Sequence, residues 1–201
     1  MVNTVSKSPY VIGTRRMVGM AIFTAMIIIF QLIATFVKIG SFPITLVLIP
    51  IVVGAAVYGP KSGAWFGGVF GFVVLIACIF GWDPGGNILW NASPFLTALL
   101  CLVKGIAAGY ISGLVYAALS KNNIYLGVVA AAIVCPIVNT GIFCVAMVLL
   151  FHKILVEWAA GQNIVFYLIF GIAGINFLIE MAVNVVLCPA VTRIIKAGKL
   201  A

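Results

Sequence analysis

The chain has 201 residues, of which 65% are hydrophobic and 7% are charged, and a soluble domain of this length cannot bury so much apolar surface. The apolar stretches are continuous rather than alternating, which excludes a transmembrane β-barrel and predicts an all-α integral membrane protein. The formal net charge of +8 comes from cations that flank the apolar stretches, where they report membrane orientation rather than nucleic-acid binding.

Six transmembrane helices are predicted, preceded by a basic arm at residues 1–16, so that residues 17–201 form a single six-helix membrane domain. The predicted helices are Met17–Val37, Ile44–Tyr58, Ser62–Phe80, Phe95–Leu119, Ile124–Phe151 and Ile164–Ile195. Loops are expected at residues 38–43, 81–94 and 152–163. Helix 2 is only about 22 Å long at 1.5 Å per residue, so we expect it to be irregular or shielded by its neighbours.

The distribution of cations predicts which side of the membrane holds the termini. Six helices place both termini on one side, and the cations on that side are Lys7, Arg15, Arg16, Lys61, Lys121, Arg193, Lys196 and Lys199. Lys38 and Lys153 fall on the opposite side. By the positive-inside rule, both termini are predicted to be cytoplasmic, and the three longer loops to face outward. We therefore expect a multi-pass protein of the cell membrane.

Glycines indicate how helix 3 packs. The short turn from Gly59 to Gly63 joins two apolar stretches, so helices 2 and 3 must run antiparallel. Gly63, Gly67 and Gly71 recur every four residues and therefore share one face of helix 3. A glycine face lets a neighbouring backbone approach closely, and we expect this face to pack inside the bundle.

Lys104 is the most informative candidate for binding. It lies about 13 Å from the outer end of helix 4 at 1.5 Å per residue, where a charge is costly and usually faces a cavity or a partner. The functional interpretation is a cation that holds a carboxylate or a phosphate of a ligand. The structural alternative is a lysine that pairs with an internal acid or extends its stem toward the interface.

Helix 6 carries the only acidic residue within a predicted helix. Glu180 lies about 24 Å from the outer end, about 11 Å deeper than Lys104, so a direct pair between the two is not favoured. Asn176, Glu180 and Asn184 recur every four residues and share one helix face. This polar face either lines a cavity or forms interhelical hydrogen bonds, and the sequence supports both interpretations equally.

Two amides lie near the depth of Lys104. Gln31 on helix 1 and Asn139 on helix 5 are about 21–23 Å from the inner ends of their helices. Three helices therefore offer a polar group in the same outer layer, and a few convergent polar groups within apolar walls are typical of a small-molecule site. For either amide alone, a hydrogen bond that only fixes helix packing is the alternative.

The predicted loop at residues 81–94 adds four polar or aromatic candidates, which are Trp82, Asn87, Trp90 and Asn91. Tryptophan near a helix end usually anchors the helix at the membrane interface. The more specific hypothesis is that this loop forms a lid over an outer cavity.

The remaining residues argue against catalysis. The five cysteines lie in apolar stretches without a CxxC pair, and His152 is the single histidine, so no metal site is predicted. Three acidic residues are too few for the carboxylate sets of membrane enzymes. The stretch from Gly54 to Ser62 differs from a P-loop because a proline precedes its lysine and it joins two membrane helices. We therefore predict that the protein is not an enzyme and needs no cofactor.

Residues 54–72, with the sequence GAAVYGPKSGAWFGGVFGF, and the six-helix pattern resemble the substrate-binding S-component of energy-coupling factor (ECF) vitamin transporters. Ala21 and Ala25 match the A-x-x-x-A face on helix 1 of that family, which docks onto the transmembrane coupling subunit. The resemblance implies that this coupling subunit and two cytoplasmic ATPase subunits are partners. It also implies a vitamin site near the outer face, along which Lys104, Asn139 and Asn176 lie.

The predicted function is high-affinity binding of a small vitamin for ATP-driven uptake through partner subunits. Lys104 favours an anionic vitamin, and the helix 2–3 stretch resembles pantothenate-type members, with riboflavin and folate left open. Trp82 and Trp90 would suit a ringed ligand by stacking. The alternative is a self-sufficient secondary transporter or channel for a small anionic solute, with Glu180 as its ion-coupling group. The candidate binding residues are Lys104, Asn139, Asn176, Gln31, Trp90, Asn91, Asn87 and Trp82.

Overall fold

Helices make up almost all of the chain in the computed structural model, which describes residues 9–36, 38–39, 42–43 and 47–200. In chain order the elements are α1 (Pro9–Phe36), β1 (Lys38–Ile39), β2 (Phe42–Pro43), α2 (Leu48–Tyr58), α3 (Pro60–Ile79), α4 (Pro84–Ala92), α5 (Pro94–Leu119), α6 (Ile124–Leu149), α7 (His152–Ala159), α8 (Ile164–Phe166), a π-helix (Tyr167–Gly174), α9 (Ile175–Val186) and α10 (Cys188–Leu200). The two short strands pair antiparallel as a small hairpin.

Among the described residues, four helices are long and apolar enough to cross a membrane. These segments are Gly13–Thr35, Pro60–Ile79, Pro94–Leu119 and Ile124–Leu149. The predicted helical membrane class is therefore confirmed, with the β1–β2 hairpin as an addition. The other two predicted spans correspond to α2, which has 11 residues and is about 16 Å long, and to the divided region from α8 to α10. A total of six spans remains a prediction.

Contacts between helices establish the path of the chain. Arg16 Nη2 donates hydrogen bonds to the Tyr58 carbonyl oxygen at 3.2 Å and to Ser62 Oγ at 3.4 Å, while Trp65 Nε1 donates to Thr24 Oγ1 at 3.4 Å. Thus α1 and α3 run parallel, with α2 antiparallel to both. We call the end of the bundle with α4 and α7 the α4 end, and the end with the α2–α3 turn the opposite end.

The α2–α3 turn depends on one glycine. Gly59 has φ of 95°, a left-handed conformation that side chains disfavour. Pro60 then begins α3 at its first turn, where the missing N–H of proline costs nothing because no intrahelical acceptor is available there. The predicted antiparallel hairpin is therefore built by a Gly-Pro pair.

The glycine face of α3 packs directly against α5, as predicted. A Cβ atom added at any of three glycines of α3 would collide with a carbonyl oxygen of α5. The colliding pairs are Gly63 with Gly109, Gly67 with Gly105, and Gly71 with Cys101. Their order shows that α3 and α5 are antiparallel with backbones in van der Waals contact, which places the N-terminal part of α5 beside the C-terminal part of α3.

Helix α2 lies at the centre of the bundle. Leu48 and Ile51 are completely buried, and Val52 and Val53 are 3% exposed. The helix packs against α1, α3, α5, α6 and α10. A helix that is apolar on every side belongs in a core, so the predicted shielding of this short helix by its neighbours is confirmed.

The prediction of a loop at residues 81–94 was wrong for most of its length, because Pro84–Ala92 form α4. Pro84 occupies the first turn after the extended residue Asp83, a position that suits proline. Gly85 and Gly86 are buried, and Leu89 is 2% exposed. Packing of α4 against α3 and α5 therefore overrides the low helix propensity of the two glycines.

The predicted loop at residues 152–163 also contains a helix, α7. Leu155 and Ala159 are its buried residues, and they are four positions apart, so one face of α7 covers the bundle. Residues 160–163 complete the connection with Ala160 and Gly161 in left-handed conformations. The sequence pattern did not indicate this helix, because its apolar face is short and the segment also contains charged residues.

The prediction of one continuous helix over Ile164–Ile195 was wrong. A π-helix ends at Gly174, which has φ of 33° and ψ of −145°, a conformation outside the helical region. A second interruption follows α9, where Pro189 cannot donate to the helical hydrogen-bond ladder. The region therefore forms four elements, and Gly174 and Pro189 account for the two later divisions.

The other predicted bounds differ less. Helices 3, 4 and 5 of the prediction agree with α3, α5 and α6 to within two residues at each end. Helix α1 begins at Pro9 rather than Met17, so residues 9–16 of the predicted arm are helical. Residues 1–8 and 44–46 lie outside the described part of the chain.

Candidate functional site

Lys104 belongs to α5, and its side chain meets α6 in the half of the bundle nearer the α4 end. Its Nζ atom is 5.2 Å from the centroid of the Phe143 ring, which is within the range of a cation–π contact. The residue is half-buried. An ammonium group held against an aromatic face inside a helical bundle keeps its charge available for an anion, so the structure retains Lys104 as a candidate for binding.

Asn139 shares a face of α6 with Phe143, because the two residues are four positions apart. It is 8% exposed, and its Oδ1 atom has no hydrogen-bond partner among the described residues. The α6 face next to Lys104 therefore presents a buried acceptor oxygen about one helical turn deeper than the cation–π contact. Lys104 and Asn139 are therefore predicted site residues from two different helices that both neighbour Phe143.

The asparagines of α4 attach this helix to α3. Asn87 Nδ2 donates to the Cys78 carbonyl oxygen at 2.8 Å, and Asn91 Nδ2 donates to Asn87 Oδ1 at 3.0 Å. Two of the four predicted residues of this segment thus form a chain of hydrogen bonds that holds α4 over the end of α3. The two asparagines therefore have a structural role in attaching α4 to α3.

The two tryptophans of the same segment differ in their surroundings. Trp82 is 41% exposed and stacks on Phe80 with ring centroids 5.5 Å apart, which matches the interpretation of an interfacial anchor. Trp90 is half-buried and packs against the main core. Trp90 is therefore the tryptophan that faces the interior of the bundle.

Asp83 is a further candidate residue, although the sequence did not single it out for binding. Its Oδ1 atom is buried and has no hydrogen-bond partner among the described residues. The charges of Asp83 and Lys104 both act on the thiols of Cys78 and Cys101, which interact with each other between α3 and α5. The signal in the sequence was an acidic residue directly before Pro84 at the end of an apolar helix.

Gln31 is the most deeply buried of the predicted polar residues, with 2% exposure. Its Oε1 atom has no hydrogen-bond partner in the described part of the chain, while its carbonyl oxygen accepts from Thr35 Oγ1 at 2.8 Å. Helix α1 packs against α2 and α3, so Gln31 belongs to a different helix pair from Lys104 and Asn139. Helix α2, which contacts both α1 and α6, connects the two.

The polar residues of α9 lie deeper than Lys104. Asn184 Nδ2 donates to the Ala132 carbonyl oxygen at 3.3 Å, and Glu180 is 7% exposed and acts on the Cys135 thiol. Cys135 also bonds to Ser112, which is about 12 Å further along α5 than Lys104 at 1.5 Å per residue. The side chain of Asn176 lies outside the described atoms. This face therefore contributes at least one interhelical hydrogen bond.

Ala21 and Ala25 are exposed on α1. Large apolar residues beside them are exposed as well, including Met17 at 72% and Ile22 at 56%. The opposite face of α1 meets α2 and α3, where a Cβ atom at Gly19 would collide with the Tyr58 hydroxyl. The predicted small-residue face therefore points away from the bundle.

Two further observations limit other kinds of site. In the described residues, no group of three or more His, Cys, Asp or Glu side chains is arranged to hold a metal ion. An opening of about 350 Å³ lies at the opposite end, beside the α2–α3 turn and the last turns of α5. Its lining contains no charged residue, so it lacks the chemistry that the Lys104 group offers to an anion.

A helical membrane protein with a half-buried cation and buried polar side chains between its helices is typical of membrane binding proteins and transporters. Similarity to a known family defines this class more closely. Residues 15–192 match the family described as ECF transporter, substrate-specific component. The chain belongs to this family, as its sequence resemblance predicted. It is therefore a multi-pass membrane protein of a transport system rather than a member of an enzyme class, and membership implies that it works with other ECF transporter subunits.

The chain is also similar to a curated protein, the pantothenic acid transporter PanT of Lactococcus lactis subsp. cremoris (strain MG1363). The two are 25% identical over 183 residues, which cover 86% of this chain and 89% of the relative. No solved structure matches the chain.

Proposed function

We propose that this protein binds pantothenate as the substrate-specific subunit of an ATP-driven ECF transporter. The observation that carries the proposal is the Lys104 ammonium over the Phe143 ring, with the buried Asn139 oxygen on the same face of α6. The similarity to PanT supports the choice of ligand. A cation beside a hydrogen-bond acceptor suits an anion that also carries N–H or O–H groups.

The chemistry of pantothenate matches these groups. The molecule has a carboxylate at one end, hydroxyl groups at the other and an amide between them. Lys104 pairs with the carboxylate, and the attraction is stronger inside the bundle than in water because the effective dielectric constant is lower. Phe143 orients the ammonium group. Asn139 accepts a hydrogen bond from the ligand, which gives its buried oxygen a partner.

The remaining candidates surround this pair. Trp90 contributes an apolar wall, and Asn87 and Asn91 of α4, with Trp82 just before that helix, form a cover. Gln31 on α1 and Asn176 on α9 are the further candidates for contact with the ligand. The hydrogen bonds of Asn87 and Asn91 hold this cover in place. Riboflavin and folate are ringed alternatives that the same binding measurement can distinguish.

The assembly follows from family membership and from the exposed face of α1. The termini lie in the cytoplasm, so the α4 end and the ligand face outward. Ala21 and Ala25 dock onto the transmembrane coupling subunit, which two cytoplasmic ATPase subunits drive. This chain supplies recognition, and its partners supply the energy.

Replacement of Lys104 tests the proposed site. In isothermal titration with the purified protein, Lys104→Met should weaken pantothenate binding by about 10- to 100-fold, because a hydrogen bond to a charged group contributes about 1.5–3 kcal/mol. Binding of panthenol, in which an alcohol replaces the carboxylate, should not change. Lys61→Met at the α2–α3 turn is the matched control and should bind both compounds like the wild type.

Two results would contradict the proposal. Equal affinity of wild type and Lys104→Met for pantothenate would show that this lysine does not hold the carboxylate. Tight binding of riboflavin or folate without binding of pantothenate would assign a different vitamin to the site.

A further inference from the structure

We propose that Asp83 is a second recognition residue, which accepts a hydrogen bond from a hydroxyl group of the ligand whose carboxylate Lys104 holds. This inference rests on the proposed function and deepens it, because it specifies the substrate class as hydroxylated carboxylic acids. With Asp83 in this role, tight binding would require a hydroxyl group in the ligand.

The first support is the unsatisfied carboxylate oxygen of Asp83. Its Oδ1 atom is buried and has no hydrogen-bond partner among the described residues. Asp83 occupies the position before α4, where aspartate commonly accepts from the first backbone N–H groups of a helix, yet its side chain makes no such bond. A buried polar atom without a partner costs about 1–3 kcal/mol, so it calls for a partner that the described residues do not supply.

The second support is the position of Asp83 relative to Lys104. A Cβ atom added at Gly86 would meet both Cys78 Sγ and, at 2.9 Å, Asp83 Oδ2, so the Asp83 carboxylate and the Cys78 thiol border the same small space. The Lys104 charge acts on that thiol too. The opposite charges of Asp83 and Lys104 thus both act on the Cys78–Cys101 pair.

The arrangement of Lys104 and Asp83 favours hydroxylated acids and disfavours acids without hydroxyl groups. A carboxylic acid without hydroxyl groups would be attracted by Lys104 but would leave Asp83 without a hydrogen-bond donor. A hydroxylated acid satisfies both residues at once. Sites that hydrogen-bond a hydroxyl group reject analogues that lack it far more strongly than apolar pockets reject a change in size, and rejection of the wrong ligand by an unpaired charge is a common source of specificity.

The test compares two ligands with two proteins. The ligands are pantothenate and N-(3,3-dimethylbutanoyl)-β-alanine, which keeps the carboxylate and the amide but has no hydroxyl group. We expect the wild type to prefer pantothenate by at least about tenfold. Asp83→Ala should weaken pantothenate binding by about tenfold and leave binding of the analogue unchanged or stronger, so that the preference disappears.

Matched variants separate recognition from folding. Glu157→Ala replaces an exposed acid of α7 and should leave both affinities unchanged. Asp83→Asn keeps the shape of the side chain but removes its charge, so it remains informative where Asp83→Ala does not fold. Its preference for pantothenate should fall several-fold, because hydrogen bonds to charged groups are about twice as strong as neutral ones.

The outcomes distinguish this inference from the proposed function. Wild-type protein that binds pantothenate, together with Asp83 variants that keep the full preference for the hydroxylated ligand, would overturn the inference alone. Equal affinity of the wild type for the two ligands would do the same. A wild type that binds neither compound would overturn the proposed function and the inference together.

Discussion

At the scale of single residues, two buried asparagines of the same bundle have different roles. Asn184 is 4% exposed and joins α9 to α6 through its bond to the Ala132 carbonyl oxygen. Asn139 is 8% exposed, but its Oδ1 atom has no partner in the described residues. The first amide stabilises the fold, whereas the second is placed to stabilise a complex, because its acceptor is still unused.

This difference gives a prediction for the pair of asparagines. Asn139→Leu should weaken pantothenate binding by about tenfold, since one hydrogen bond contributes about 1 kcal/mol and its loss leaves a ligand donor unpaired. Its melting temperature should stay the same or rise, because the substitution removes an unsatisfied buried oxygen. Isothermal titration and thermal unfolding in detergent measure the two effects.

Asn184→Leu is the control and should show the reverse pattern, with a lower melting temperature and unchanged affinity. An Asn139 variant that loses as much stability as the Asn184 variant, with intact binding, would show that Asn139 only fixes helix packing.

The sequence singled out some of the candidate residues and missed others. The depth of Lys104 and Asn139 along their helices predicted that they share one layer, because helix rise converts sequence position into depth. Phe143, the ring beneath the lysine, could not be recognised, since it lies on another helix and resembles any other apolar residue. Asp83 was missed because an acidic residue near a helix end is usually solvated.

At the scale of elements, the contact between α3 and α5 organises the site. The glycines of α3 and the carbonyl oxygens of α5 are so close that no side chain fits between them. This contact brings Cys78 and Cys101 together and places Lys104 beside the Gly67–Gly71 part of α3. Close packing of small residues is a main source of helix association in membranes, where burial of apolar surface contributes little.

Substitution at the centre of this contact should separate the helices. Gly67→Ala would place a methyl group against the Gly105 carbonyl oxygen, and we expect a loss of about 1–3 kcal/mol of stability from overpacking. Gly141→Ala in α6 is the matched control, because a Cβ atom there has no neighbour within 4 Å. That variant should be neutral or stabilised by up to about 1 kcal/mol through helix propensity.

Thermal unfolding in detergent checks both variants, and equal melting temperatures would argue against a tight α3–α5 contact. Weaker pantothenate binding by Gly67→Ala is a second expected result, because Lys104 directly precedes Gly105 in α5.

Helices that consist of long apolar stretches were predicted well. Helices that consist of short segments were predicted poorly. Helices α3, α5 and α6 agree with the prediction because their length and hydropathy leave no alternative in a membrane. Helices α4 and α7 were taken for loops, since their few buried residues become a pattern only against the bundle that they cover. The interruptions at Gly174 and Pro189 were missed because membrane helices commonly contain both residue types.

At the scale of the whole molecule, the outer face of α1 is the surface available to another subunit. Ala21 and Ala25 are exposed, and only 17% of the α1 span is buried within the chain. A stripe of small residues on such a helix allows close approach of a partner helix, in agreement with the docking role that the family resemblance implies.

Bulky residues on this face should prevent assembly. Ala21→Leu and Ala25→Leu should each abolish co-purification with the coupling subunit and the ATPases, because a larger side chain holds the partner backbone away. Their affinity for pantothenate should equal that of the wild type. Ala118→Leu, an exposed alanine on α5, is the control and should assemble normally. Intact complexes with both α1 variants would remove the docking role of this face.

The sequence by itself determined the medium, the helical class, the α2–α3 hairpin and the family, because hydropathy and glycine spacing act over short distances along the chain. Only the tertiary structure decided which polar groups meet. It set Lys104 over Phe143, left Asn139 and Asp83 with acceptor oxygens that no described residue uses, and folded α4 across the end of α3. The physical reason is that a buried polar group must find a partner, and the choice among partners depends on contacts between helices that are remote in sequence.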